Sequence, residues 1–414
     1  MTEAATDAPT VAHAGGPSPD PGVGRPPGPR GRFARRALYS RRLRAADEQW
    51  SLPGRMLRAA LARPELLLAL TGDRAPVERD GRVLHRGVQA LLGLTGALDR
   101  ATRRGGGAPD PVETRDVFTA TARQVMPVRT DVHVSGRTVP GPDGAPDLPV
   151  RIYRRFGVGI GRPDRRPPAI AYFHGGGWVV GDLDSHDASC RLLASVTGCV
   201  VVAVGYRLAP EHPFPTAVED CLAAYAWIQR SHGVLGTAPG VVGVMGDSAG
   251  GNLAAVVAQE TRPGRRSAAA DVPPPVAQCL VYPALDARFV TESFRVMGDG
   301  FFLTREGMEA YRAHYLPDPA DHEDVRASPV LCRDLDDLAP AVIVTAGFDP
   351  LRDEGAAYAG ALAGAGVSVE YRCYDDMVHG FFGMGVVPDC LALATEVCDA
   401  MGSLMRRAAP RPRA

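Results

Sequence analysis

Val241-Val242-Gly243-Val244-Met245-Gly246-Asp247-Ser248-Ala249-Gly250-Gly251-Asn252-Leu253-Ala254-Ala255-Val256-Val257-Ala258 is the stretch whose reading decides the fold. An apolar, β-branched run enters a cluster of small residues, and a helix-forming run leaves it. This is strand, tight turn, helix, with a serine at the apex. The G-x-S-x-G spacing at 246–250 suits a nucleophile elbow, because small flanking residues let the backbone bend where a larger side chain would clash. The bend pushes the Ser248 hydroxyl out to where a base can reach it. So short a match also arises by chance, and three other segments carry the case further.

Upstream, Ala169-Ile170-Ala171-Tyr172-Phe173 reads as a buried strand that runs into His174-Gly175-Gly176-Gly177-Trp178. Three consecutive glycines leave backbone N–H groups unshielded, as an oxyanion site requires. Gly175, Gly176, Gly177 and Ala249, the residue after the serine, are the candidate donors. The competing reading is a plain glycine turn. His174 itself reads as a residue that orders the loop. Downstream, the strand-like Ala341 to Ala346 leads to Asp349 in Asp349-Pro350-Leu351-Arg352-Asp353. A carboxylate just past a strand sits on the face where α/β sheets place their chemistry. His379 follows another strand and lies beside Gly380. Asp353, Asp375 and Asp376 are near enough in sequence to compete with Asp349. The chain order serine, aspartate, histidine is that of the α/β hydrolases.

With these segments in hand, the chain resembles the hormone-sensitive-lipase-like family of α/β-hydrolase carboxylesterases, in the branch with a Gly-Asp-Ser-Ala-Gly elbow. The resemblance rests on His174 to Trp178, Gly181 to Asp187, Tyr206 to Pro215, the elbow, Asp349 to Gly355 and the His379 loop, in the family's order. It implies an α/β-hydrolase fold with a mostly parallel eight-stranded sheet flanked by helices and covered by a helical cap. It implies Ser248 as nucleophile, His379 as base and Asp349 as the carboxylate that orients it. The expected activity is hydrolysis of short- to medium-chain acyl esters through an acyl-enzyme, with no cofactor and no metal. A deacetylase or amidase on a small metabolite would use the same machinery. A non-catalytic receptor on this fold, as in plant hormone receptors that replace the histidine, is disfavoured by His379.

The rest of the chain is consistent with that architecture. Apolar runs at Val128–Val134, Pro149–Phe156, Ala169–Phe173, Val200–Gly205, Val241–Met245, Val276–Tyr282, Ala341–Ala346 and Val367–Tyr374 read as strands, with helical patterns between the later ones. Such alternation implies a parallel sheet covered on both faces. Residues 123–405 are the expected catalytic domain. Within it, about 286–338 breaks the alternation for longer than an unstructured loop would, and reads as a cap insert. Residues 36–122 read as an N-terminal helical cap region, with helices expected over 45–100. Trp178, Phe301 and Phe302 are candidates for an apolar substrate pocket, and ordinary packing is the competing reading for the two phenylalanines. Residues 1–35, rich in Pro, Gly and Ala, read as a disordered tail. The arginines from Arg25 to Arg44 make it basic, and a solvated tail explains them without a partner.

A net charge of −1 gives no pull toward nucleic acid. All 46 basic residues are arginine, which reads as coding bias. The eight cysteines form no C-x-x-C pair and several sit in apolar runs, so buried thiols are expected. No signal pattern opens the sequence, and no apolar run approaches the ~20 residues of a membrane span. The expected location is the cytoplasm, the expected partner a small ester. The edges of an open sheet leave room for a homodimer.

Overall fold

A computed structural model describes residues 48–102, 110–158, 166–262, 264, 269 and 271–408. The tail expected over 1–35, the arginines up to Arg44, and the Gly105-Gly106-Gly107-Ala108-Pro109 stretch, which reads in the sequence as a linker, lie outside the described residues. An eight-stranded sheet forms the centre. Its strands are β1 (Val132–Val139), β2 (Leu148–Arg155), β3 (Ala169–Phe173), β4 (Val200–Val204), β5 (Val242–Asp247), β6 (Gln278–Val281), β7 (Ala341–Phe348) and β8 (Val369–Val378). Their spatial order is β8-β7-β6-β5-β3-β4-β2-β1. Six strands, β8 through β4, run parallel; β2 pairs antiparallel with β4, and β1 antiparallel with β2.

Sequence explains this layout. Every residue of β3, β4, β5 and β7 is buried. A strand with no polar face needs helices on both sides of the sheet. The helices α5 (Asp187–Thr197), α6 (Thr216–Arg230), α7 (Ala249–Glu260), α10 (Arg352–Gly364) and α11 (Pro388–Ala408) supply them. All twelve residues of α7 are buried, so this helix is packed on every side. The outermost strand, β1, exposes His133, Gly136 and Arg137 and buries Val132 and Val139, as an edge strand does.

Two local readings need correction. The first strand does not run from Val128. Val128–Arg129 pairs instead with Glu48–Gln49, and the sheet strand starts at Val132 after a turn. Asp131 holds that turn, accepting from Arg129 Nε at 3.2 Å and Ser195 Oγ at 2.6 Å. Nor is 45–100 helical throughout. Helices α1 (Leu52–Leu61), α2 (Pro64–Thr71) and α3 (Arg86–Thr102) are interrupted by a hairpin pairing Glu78–Arg79 with Arg82–Val83. Its turn is Asp80-Gly81, with φ of 52° and 69°. An Asp-Gly pair at this conformation is a strong hairpin signal. The hairpin is pinned to the sheet domain by Arg82 on Asp375 and by Arg352 on Asp80.

Between the sheet and the N-terminal helices lies α4 (Arg115–Val125), and between β6 and β7 lie α8 (Glu292–Met297) and α9 (Arg305–Tyr315). The loops at the C-terminal ends of the parallel strands meet these elements. One such loop follows β4 and is clamped by Asp220 on α6. Its carboxylate is fully buried and accepts from the Arg207 backbone N–H at 2.9 Å and from the Arg207 guanidinium at 2.6 Å. Removing one partner of such a pair leaves an uncompensated group. Asp220→Ala should therefore lower the unfolding free energy by about 3 kcal/mol, measured by urea denaturation; a change within error would show that the clamp contributes nothing.

Candidate active site

Ser248 stands between β5 and α7 with φ 56° and ψ −121°, a conformation that bulky residues avoid. The neighbouring glycines make it attainable. A Cβ on Gly246 would lie 2.1 Å from the Gly250 carbonyl oxygen, and one on Gly250 would lie 2.0 Å from that of Phe173. Only hydrogen fits at either position. The Ser248 N–H donates to the Val281 carbonyl at 2.9 Å, which ties the turn to β6.

Three residues distant in sequence converge here. His379 follows the last residue of β8, and its Nε2 lies 2.9 Å from Ser248 Oγ. Its Nδ1 lies 2.8 Å from Asp349 Oδ2. Asp349 is fully buried one residue past β7, and its other oxygen accepts the Leu351 N–H at 2.9 Å. The Tyr282 ring packs 4.5 Å from the imidazole. The competing carboxylates are engaged elsewhere: Asp353 with Arg352 and the Ser293 N–H, Asp375 with Arg82. Asp376 forms no contact with His379 among those described, and its carbonyl accepts the His85 N–H.

The glycine loop after β3 arches beside the serine, but its residues are not equivalent. The Gly175 N–H donates to Asp247 Oδ1 at 3.1 Å, so it is removed from the candidate oxyanion donors. Among the described residues, the N–H groups of Gly176, Gly177 and Ala249 have no protein acceptor. A Cβ on Gly177 would lie 2.4 Å from the Tyr311 ring, so α9 closes directly over this loop.

Two buried groups hold the loop against the elbow. Asp247 accepts from Tyr172 Oη at 2.7 Å and from Gly175, and lies 3.5 Å from His186 Nε2. Burial by itself would raise its carboxyl; His186 and the Tyr172 hydroxyl more than offset that, and the carboxyl stays below its ordinary value. His174 stacks on Tyr206 at 4.2 Å, and its Nδ1 sits 2.8 Å from the Gly175 carbonyl. Burial, reinforced by His186, pushes the His174 imidazole down to about 4. It is neutral near pH 7 and far from Ser248 in the bonding network, as befits a residue that orders the loop.

A cavity of about 540 Å³ opens over Ser248 and His379. Trp178 lines it, stacked on Tyr315 at 4.4 Å, and so does Phe302. Phe301 does not. It is 5% exposed and packs edge-on against Phe348 at 4.9 Å, because adjacent side chains in this loop point opposite ways. Sequence reading missed Val117, Phe118, Thr121 and Val125 of α4, which all line the cavity. Their spacing of three and four residues was a usable signal. Tyr311 and Arg312 of α9 were missed as well. Among the described residues, no group of three His, Cys, Asp or Glu side chains converges as a metal site.

Comparison with known proteins agrees with this architecture. Residues 170–383 match the family described as having the alpha/beta hydrolase fold. The chain is 43% identical over 277 residues to the carboxylic ester hydrolase LipN of Mycobacterium tuberculosis, covering 66% of this chain and 71% of that one. It is 40% identical over 245 residues to an ethyl acetate hydrolase of Pseudomonas putida, covering 58% and 73% respectively. Among solved structures, an ester hydrolase from the metagenome of Lake Arreo superposes with a TM-score of 0.71 at 35% identity, covering 77% of this chain and 98% of that one. A thermostable esterase from Pseudomonas putida gives 0.70 at 31%, covering 79% and 98%.

The neutral His174 has a measurable consequence. An unfolded chain binds that proton below about pH 6.5, whereas the folded protein does so only near pH 4. Stability should therefore decline as pH falls through this window, by at most about 3 kcal/mol from this group. Denaturation at stepped pH should show a flatter decline in His174→Asn; an identical slope would mean the imidazole protonates without penalty.

Proposed function

The chain belongs to the α/β-hydrolase fold family, in its hormone-sensitive-lipase-like branch, and from that membership we propose that it is a serine carboxylesterase acting on short- to medium-chain acyl esters. The observation that carries the reading is the continuous hydrogen-bonded run from Ser248 through His379 to Asp349, beside three unengaged backbone donors. His379 Nε2 takes the Ser248 proton as Oγ attacks the ester carbonyl carbon. The N–H groups of Gly176, Gly177 and Ala249 receive the developing oxyanion. The tetrahedral intermediate collapses, the alcohol leaves with the proton from His379, and an acyl-enzyme remains. Water, deprotonated by the same imidazole, attacks that acyl group and releases the carboxylic acid. Asp349 keeps Nδ1 protonated, so that Nε2 faces the serine with its lone pair.

Burial supports the assignment of roles. The Asp349 carboxylate is fully buried and the His379 ring nearly so. A charge pair that forms during the reaction is worth more in such surroundings than in water. The cavity falls within the range of small-molecule sites. Its walls come from α4 on one side and from Phe289 to Leu316 on the other. We assign these two parts as a cap, with residues 36–122 and about 286–338 as its contributors. No described helix is long and apolar enough to cross a membrane. Eight unpaired cysteines fit a reducing compartment, and the reading extends to a cytoplasmic site of action.

The test is turnover of p-nitrophenyl esters from acetate to palmitate, with Ser248→Ala alongside. Short and medium chains should be hydrolysed and palmitate poorly. The variant should retain the native circular dichroism spectrum and lose at least about 10⁴-fold in kcat. A folded Ser248→Ala protein with native turnover would eliminate the serine mechanism.

A further inference from the structure

The apolar cavity contains one cation that the reaction above does not use. Arg312 lies on α9, one residue after Tyr311, and both line the cavity wall. Its Nη1 donates to the Ala287 carbonyl at 2.9 Å, and its guanidinium lies 4.2 Å from the centre of the Phe289 ring. No carboxylate of the described residues pairs with it, and of its five N–H groups only this one bond to protein is accounted for.

The other ionisable groups on the wall are different. Asp286 is chelated by Arg288, with Oδ1 at 2.8 Å from Nε and Oδ2 at 2.7 Å from Nη2. Asp247 has His186, and His379 has Asp349. Glu354 accepts the Leu285 and Asp286 N–H groups, and burial pushes its carboxyl well above the ordinary value. The other ionisable groups on the wall thus have partners of their own, and none of them contacts the Arg312 guanidinium.

The platform beneath that guanidinium is itself strained. Phe289 has φ 59°, and its ring stacks on Phe294 at 4.8 Å. A bulky residue at positive φ is costly, and such strain persists where the surroundings hold it for a purpose. Here it turns the Phe289 ring under Arg312, inside the cavity. A planar cation with free donors, seated on an aromatic ring in an apolar cleft, suits a carboxylate, which it can grip with two parallel hydrogen bonds.

We propose that Arg312 is a specificity residue for esters that carry a free carboxylate, such as half-esters of dicarboxylic acids or acyl esters of hydroxy acids. The proposal rests on the esterase reading above and narrows its substrate class. The carboxylate would sit against Arg312 while the ester carbonyl occupies the space between Ser248 and the Gly176–Gly177 donors.

The experiment compares neutral and anionic esters of matched length. Methyl butyrate, methyl valerate and methyl hexanoate are set against monomethyl succinate, glutarate and adipate, respectively. Ethyl butyrate is set against butyryl esters of ω-hydroxy acids, and all are followed by pH-stat. The readout is the ratio of kcat/KM for each anionic ester to that of its neutral partner, in the native enzyme, Arg312→Met and Arg312→Lys. A charge-assisted contact should give at least one anionic series a ratio about 10- to 100-fold higher in the native enzyme than in Arg312→Met. Arg312→Lys should keep part of that preference, since it retains charge but loses the fork. A purely structural role for Arg312 would lower both terms together and leave the ratio unchanged; that result in both series overturns the proposal. Failure of the native enzyme on every ester, neutral and anionic alike, p-nitrophenyl acetate included, would instead overturn the esterase reading.

Discussion

The backbone contact at the elbow governs the rest of the site. Gly250 lies against the Phe173 carbonyl and Gly246 against that of Gly250, closer than any side chain would allow. This packing bends the chain sharply between β5 and α7 and holds Ser248 at positive φ. It also sets the elbow against the end of β3, where the glycine loop begins. One steric constraint thus positions both Ser248 and the free N–H groups that face it.

Electrostatics complete what sterics begin. Asp247 reaches from the elbow to Tyr172 on β3 and to Gly175 in the glycine loop, and His186, just before α5, lies 3.5 Å from it. The loop is held by a buried carboxylate and a buried neutral imidazole, not by its own glycines. One of three adjacent glycines therefore has its N–H built into the frame, while those of its two neighbours stay free. On the opposite side, Asp349 is fixed by the Leu351 N–H and fixes His379 in turn. Each candidate catalytic group is therefore supported by a partner that itself has a partner, which limits its motion.

The cavity depends on a third relationship, between parts of the chain far apart in sequence. Tyr311 on α9 packs over Gly177, while α4 approaches from the N-terminal side. Arg115 at the start of α4 joins them by donating to the Val179 and Ala209 carbonyls and pairing with Glu211. Glycine at 177 is needed both for its φ of 59° and because the Tyr311 ring leaves no room for a Cβ. The wall over the serine and the loop beneath it are therefore shaped as a unit.

The sequence by itself determined the sheet and the convergence of its loops. Runs such as Val200–Val204 have no polar face, so they can form only strands covered on both sides, and parallel strands bring the turns after them to one edge. Ser248 and Asp349 were legible because each follows such a run, and His379 because it follows a more polar strand and lies beside Gly380. What the tertiary structure alone decided is how each polar or aromatic group is engaged. Gly175 and Gly176 look alike in sequence, yet only Gly175 meets Asp247. Phe301 and Phe302 are adjacent, yet one enters the core and the other the cavity. The Asp80-Gly81 hairpin was readable but was masked by its helical neighbours. Arg312 is one arginine among many until its neighbours are known. Periodicity reports which face of an element is apolar; hydrogen-bond partners and ring contacts depend on residues tens to hundreds of positions apart, which no local pattern encodes.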